Sequence, residues 1–405
     1  MQKYLFFILL LFFFACGKKT ERNSRFSEEQ KASLHLDSTT VLKAETDSTV
    51  TIDLNPFLKR QHFDFGSLVR EIKLLPLETT DESLVDDIYK VVVSDSNIYI
   101  LDQFKGRGLI IFNRDGKFVK RMPVGAGPGE LNRFYDFAYD TENNELIVYQ
   151  HSFLMFFTPE GKYIRQERLP FGFFNFTVIP GGYLFKTLGS QGNSHLNGFE
   201  DYSLFVTDKE FKLESVGMYY PPKGKILTYY DYIYNNNRTI HITQAYSDTI
   251  CEYITETGQL KARYVLDYRK KKLPERYLHL NSFDDFDKTI RQNDYYFYIG
   301  KYLDTGTHHI FALENYSIAG TVIYRDKHSG NLKGGTDADY ITGEIPPIMY
   351  PRGVSGTYFI SIHWPEKQDS LLSNSSIISG EDKLKIKDLR EDDNPVLVFF
   401  QLKDF

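Results

Sequence analysis

The sequence predicts an all-β fold: a six-bladed β-propeller of four-stranded antiparallel blades, its ring closed by an N-terminal strand, with short helical insertions. Three observations carry this. One hairpin motif recurs along the chain, each copy is preceded by two further strand-like runs, and the last unit lacks a strand while the N-terminal region has strands to spare. Repetition at this period is what a propeller leaves in a sequence.

The clearest copy of the hairpin lies in Gly108 to Arg133, GLIIFNRDGKFVKRMPVGAGPGELNR. Leu109 to Phe112 is an apolar β run, and Asn113-Arg114-Asp115-Gly116 is a turn with glycine where φ must become positive. Lys117 to Met122 alternates polar and apolar residues, as a half-buried strand does. Gly125-Ala126-Gly127-Pro128-Gly129-Glu130 then takes the chain out of the sheet, since neither proline nor repeated glycine suits a strand interior.

Gly116 recurs as Gly161, 45 positions on, with Lys162, Tyr163 and Ile164 matching Lys117, Phe118 and Val119. A third copy is LFVTDKEFKLESV (204–216), in which the glycine aligns with Glu210. EYITETGQLKARY (252–264) turns at Gly258, and TVIYRDKHSGNLKGG (321–335) at Gly330. The spacing of 72 positions between these last two glycines reflects a charged insertion, Asp267 to Arg291, read as partly helical.

The paired strands follow in order. Ile88 to Val93 and Asn97 to Asp102 precede the first hairpin, and Phe134 to Tyr139 and Glu145 to Gln150 the second. Phe173 to Ile179 and Tyr183 to Thr187 precede the third, Tyr229 to Tyr234 and Thr239 to Thr243 the fourth, and Asp294 to Ile299 and His308 to Leu313 the fifth. The sixth unit offers Ile345 to Tyr350, Gly356 to His363 and, after a polar, partly helical excursion, Asn394 to Leu402. Its fourth strand is expected from Thr49 to Leu54 or Arg70 to Leu77. Each blade has two apolar faces, and radial stacking with a closed ring buries both. Six blades is the count, with seven the alternative.

The front end sets the compartment. Lys3, the apolar run Leu5 to Phe14 and Ala15-Cys16-Gly17 read as an export signal too short to span a bilayer. Phe13-Phe14-Ala15-Cys16 resembles the lipobox of bacterial lipoproteins, which implies lipidation at Cys16 and membrane anchoring. The expected division is therefore 1–16 signal and anchor, 17–49 a polar flexible tether, and 50–405 propeller. Cys251 is then the one thiol left, and reads as a buried apolar filler. A net charge of -6 leaves no basic excess for phosphates, so nucleic acid is excluded as a partner.

Leu74-Leu75-Pro76-Leu77-Glu78-Thr79-Thr80, Asp102, Asp115-Gly116-Lys117-Phe118, the Gly125–Glu130 loop and Asn394-Pro395-Val396-Leu397-Val398 together resemble the Bacteroidetes six-bladed β-propeller lipoproteins, which are similar to NHL-repeat propellers. The resemblance runs from about residue 50 to 405 and implies architecture and an outer-membrane lipoprotein location, on the periplasmic or surface face. It implies no particular chemistry.

For a site, the glycine-rich loop invites an anion-nest reading, although no P-loop Lys-Ser/Thr follows and an interblade connection needs the same glycines. Gly125, Gly127, Glu130, Arg133 and Asp136, with Asp102 and Arg107 from the neighbouring turn, would line one entrance suited to a glycan, a peptide terminus or a carboxylate. Surface ion pairing is the competing reading of these charges. His241, His308, His309 and His363 come with no HExxH and no paired cysteines, so neither metal nor cofactor is expected; convergence of His241 and His309 is the geometry that would reverse this. The tyrosines at 219, 220, 229, 230, 232 and 234 read as interblade packing, or as a stacking platform if exposed. No catalytic constellation stands out. The expectation is a non-catalytic protein that binds a glycan, peptide or envelope partner; the alternative is a lyase or hydrolase with a metal or acid/base site in the axial channel.

Overall fold

The computed structural model describes residues 26–405 apart from 60–62, 103–107, 133, 152, 188–191, 221–231, 236–238, 281, 317–319, 337–349 and 366–374. Six sheets of four or five strands make six blades. Blade 1 is β4 (Ile88–Val93), β5 (Asn97–Asp102), β6 (Gly108–Asn113) and β7 (Phe118–Arg121), paired antiparallel in that order from axis to rim. Blade 2 repeats it with β8 (Phe134–Asp140), β9 (Glu145–Gln150), β10 (Phe153–Phe157) and β11 (Tyr163–Arg168). Blade 5 does so with β20 (Phe297–Asp304), β21 (His308–Glu314), β22 (Thr321–Asp326) and β23 (Leu332–Thr336). The middle strands are the most apolar, and Ile98 to Leu101 and Leu109 to Phe112 are fully buried between neighbouring blades.

Gly116, Gly161, Gly258 and Gly330 all hold positive φ, 77°, 77°, 68° and 78°, as the repeated hairpin requires. In blade 3 the left-handed position falls on Phe211 (φ 65°), one residue after the Glu210 that sequence alignment gave. The Asp208 N–H donates to the Lys212 carbonyl as the Asn113 N–H does to Lys117. Phe211 stays there because its ring stacks on Tyr183, with centroids 5.2 Å apart.

Ring closure comes from β3 (Val69–Pro76), the second of the two segments expected to supply it. It pairs antiparallel with β26 (Val396–Leu402) and completes blade 6 beside β24 (Gly353–Ser355) and β25 (Tyr358–His363). The other segment goes elsewhere. As β2 (Val50–Asp53) it runs parallel to β19 (Gln259–Asp267), a fifth strand outside β16 (Ile233–Asn235), β17 (Ile240–Ile242) and β18 (Thr249–Ile254) in blade 4. The first strand of the blade-6 pattern, placed at 345–350 from sequence, falls mostly outside the described residues; β24 lies just beyond it.

The stretch expected as a tether is not free over its described part. β1 (Thr40–Leu42) pairs parallel with β15 (Leu213–Tyr219) at the rim of blade 3, next to β14 (Tyr202–Asp208), β13 (Gly182–Lys186) and β12 (Asn175–Ile179). Leu34 is fully buried in the core between blades 2 and 3. Before it, α1 (Glu28–Ala32) starts at a capping box of Ser27 and Gln30. Polar composition hid this, because main-chain pairing to an open sheet edge needs few apolar side chains. The insertion after β19 contains α2 (Phe283–Asn293), and the excursion before β26 contains α3 (Gly380–Ile386).

Asn394 locks the closure. Its amide donates to the carbonyls of Glu78 (2.8 Å) and Ser83 (2.9 Å), and its carbonyl accepts from the Val85 N–H (2.8 Å). Glu78 in turn accepts from the Phe118 N–H (2.8 Å), joining blade 6 to blade 1. Removing a buried side chain that satisfies several main-chain groups costs about 1–3 kcal/mol for each group left unpaired. Asn394→Ala is therefore expected to lower unfolding free energy by about 2–4 kcal/mol in urea titration; a loss under about 0.5 kcal/mol, typical of a neutral surface substitution, would show that the closure does not depend on it.

Candidate functional site

The innermost strands β4, β8, β12, β16, β20 and β24 surround the axis. Between them lies a cavity of about 770 Å³ lined by Lys90, Tyr139, Tyr234, Asn235, Asp304 and Arg352 among others. It opens where those strands end, at Ser94-Asp95, Thr141, Thr305-Gly306 and Gly356-Thr357. A narrower space of about 70 Å³ continues inward, lined by Tyr89, Lys90, Tyr234, Lys301, Tyr302 and Arg352. Among the described residues, three cationic side chains and no carboxylate line that inner end.

Lys301 reaches the axis because β20 is irregular. Its pairing with β21 shifts register between Tyr298 and Tyr302. At the shift Gly300 has φ 92°, and a Cβ there would meet the Tyr232 ring at 2.4 Å. Only glycine allows both the conformation and the close approach. Burial first, then the nearby Arg352 guanidinium, hold the Lys301 ammonium well below the usual lysine range. Its Nζ also lies 5.4 Å from the centre of the Tyr350 ring. Among the described residues neither Lys301 nor Arg352 has a carboxylate ion-pair partner.

Lys90 differs. Its Nζ meets Asp136 Oδ1 at 2.8 Å, and that carboxylate, fully buried, also accepts from the Phe137 N–H (2.8 Å) and the Phe176 N–H (3.1 Å). Asp136 thus ties blades 1, 2 and 3 together and fixes Lys90 against the channel wall. Asp304 is likewise committed: it accepts from Lys327 Nζ (2.7 Å), the Gly306 N–H (2.6 Å) and Tyr302 Oη (3.2 Å).

The remaining described candidates from sequence sit toward the starts of the inner strands. Gly125, Gly127 and Glu130 belong to the connection leading into the start of β8, and the cavity opens past the strand ends. The loop closes on itself: Glu130 Oε2 accepts from the Gly127 N–H (2.8 Å), and a Cβ on Gly125 would meet that oxygen at 2.0 Å. The glycines make room for Glu130. Asp102 is fully buried and accepts from the Asp86 N–H (3.0 Å); burial pushes its carboxyl up, against those main-chain donors and Arg121. Neither Asp102 nor these loop residues line the two axial cavities, and Arg107, Arg133 and Cys16 fall outside the described residues.

His241 and His309 pack on either side of Tyr302, with ring centroids 4.6 Å and 5.5 Å from it. Burial pushes the His241 imidazole down to about 4 and His309 well below the usual range. These are neutral core histidines, and no group of three metal-capable side chains among the described residues includes them or His363. Tyr232 is buried, Tyr234 lines the channel, Tyr219 is exposed, and 229–230 lie outside the described residues. Cys251 is buried, its thiol pushed up to about 11 by burial. Sequence reasoning missed Lys301 and Arg352 altogether; the glycine preceding Lys301 inside a strand pattern was the signal available.

A six-bladed propeller with a closed cationic axial channel is the class that this fold and site define. The chain belongs to the family described as "Domain of unknown function (DUF4934)", whose model matches residues 49–401. Among solved structures it is similar to a protein of Bacteroides fragilis taken to be exported, with 18% identity and a TM-score of 0.71 over 88% of this chain and all of that one. It also matches, at TM-score 0.34 and 14% identity, the extracellular domain of a system described as one-component from B. thetaiotaomicron, over 65% of this chain and 29% of that one. A protein of unknown function from Bacteroides caccae matches at TM-score 0.37 and 9% identity over 67% of this chain and 96% of that one. No curated protein matches.

Removing Asp136 would strand Lys90 beside the channel. Asp136→Ala is expected to cost about 3–5 kcal/mol, as breaking a buried pair does, read by chemical denaturation; Lys90→Met with Asp136→Ala should recover part of it. A single-variant loss below about 1 kcal/mol, the range of exposed ion pairs, would show the pair to be incidental.

Proposed function

We propose that this protein is an extracytoplasmic, lipid-anchored propeller that binds a carboxylate-bearing ligand, an acidic glycan or a peptide terminus, in its axial channel without chemical turnover. One observation carries the reading: Lys301 and Arg352 face the inner end of a closed channel with no carboxylate partner among the described residues. The Lys301 ammonium gains from an incoming anion that offsets its desolvation, and the exposed Arg352 guanidinium lies beside it to share that anion. Tyr89, Tyr234 and Tyr302 add ring faces beside them.

Export and anchoring are supported by the N-terminal signal pattern ending at Cys16, and export also by the naming of the similar Bacteroides fragilis protein as exported. Placement in the outer membrane, on either face, belongs to the same proposal. The competing enzyme reading would rest on Asp304, Tyr302 and His309. Burial drives the Tyr302 phenol up and the His309 imidazole down, away from neutrality, and Asp304 is paired with Lys327, so that set holds no poised acid or base.

Titration calorimetry with oligogalacturonate and an acidic peptide, against a neutral oligosaccharide, tests this. Lys301→Met should weaken binding of the acidic ligand by roughly tenfold or more, the worth of one charged hydrogen bond, while leaving the melting temperature unchanged or higher. Because the Lys301 pKa is depressed, its ammonium is complete at acidic pH and lost as pH rises through that lowered value. Affinity should therefore fall with rising pH below the range where an ordinary lysine titrates. Equal affinity for the neutral sugar, or a wild-type response in Lys301→Met, would contradict the reading.

A further inference from the structure

We propose that His308, Asp326 and Asp404 form a site for a divalent transition-metal cation of the zinc type, which pins the chain segment after β26 to blade 5. The donors come from three places. His308 opens β21, Asp326 ends β22, and Asp404 follows β26 of the neighbouring blade. One ligand atom from each lies within 4.8 Å of the others.

The histidine distinguishes this from an ordinary acidic patch. His308 is 2% exposed, and its Nε2 is buried without a hydrogen-bond partner, 3.9 Å from Asp326 Oδ2. The Lys403 carbonyl lies near the ring and favours its charged form, but makes no hydrogen bond to Nε2. Nδ1 is occupied by the Thr307 hydroxyl at 3.1 Å, which fixes the ring and leaves Nε2 aimed at the two carboxylates. A buried polar atom left in this way costs free energy unless something fills its place. Burial holds the imidazole below its usual range.

The carboxylates are held to different degrees. Asp326 Oδ1 accepts from the N–H groups of His328 (2.7 Å) and Ser329 (3.1 Å), and Oδ2 from the Phe405 N–H (2.9 Å). That leaves lone-pair capacity on Oδ2 facing His308. Asp404 is exposed, with Arg70 at 3.6 Å, an ion pair weak enough to yield. Zinc bonds of about 2.0–2.2 Å need donors within about 4 Å of one another, which a rotation of Asp404 supplies. One imidazole with two carboxylates suits zinc or a neighbouring transition ion better than calcium or magnesium, which prefer all-oxygen sets.

Filling the site would clip blade 6 to blade 5 at the same closure that β3 makes. The test uses the full chain, purified with chelator, then titrated with zinc chloride, calcium chloride or magnesium chloride. Calorimetry should give one zinc per chain. Zinc should raise the melting temperature by roughly 3–5 °C at a hundredfold excess over Kd, and calcium and magnesium should not. Asp404→Asn, at an exposed position, should keep the metal-free melting temperature, weaken zinc binding by roughly tenfold or more and abolish the rise. Absence of stoichiometric zinc binding, or zinc affinity unchanged in Asp404→Asn, would overturn the assignment.

Discussion

The pairing of β3 with β26 is the constraint on which the rest of the molecule depends. It joins residues 69–76 to 396–402, so the ring cannot close until residues 396–402 have been made. Once closed, it leaves no blade with an unmatched apolar face and forces six inner strands around one axis. Asn394 and Glu78 hold the seam by hydrogen bonds to main-chain groups of blades 6 and 1. This gives a physical reason for the Leu77-Glu78-Thr79 and Asn394-Pro395 segments that carry the family likeness: they make the seam.

The channel follows from that closure. Closing a ring of twisted sheets leaves a space whose wall is whatever the inner strands present. Most inner-strand side chains here are apolar, small or already paired, as Lys90 is with Asp136 and Asp304 with Lys327. Lys301 and Arg352 are the exceptions at the narrow end. Burial disfavours the charged form of Lys301 there, whereas Arg352 is exposed beside it.

How much of this was legible in the sequence depended on how local the cause is. The hairpin turn is local, so Gly116, Gly161, Gly258 and Gly330 announced the blades directly. Phe211 shifted the third turn by one residue because packing on Tyr183 overrode the preference for glycine. The edge strand at 40–42 was invisible, and 50–53, though legible as a strand, gave no sign of its partner, since both use main-chain pairing to strands distant in sequence. The cationic inner end was hidden for a similar reason. A register shift at Gly300 decides where Lys301 points, and the strand period alone cannot reveal it. Conversely, the glycine-rich loop drew attention as a nest, and its glycines accommodate Glu130 within the loop itself.

The central claim is that ring closure creates an anion-accepting axial channel. A crystal structure of the protein soaked with a short oligogalacturonate tests it most directly. The account predicts ligand density on the axis with a carboxylate between Lys301 and Arg352. Ordered ligand off the axis, against the loop of Gly125 to Glu130, with the inner channel unchanged, would contradict it.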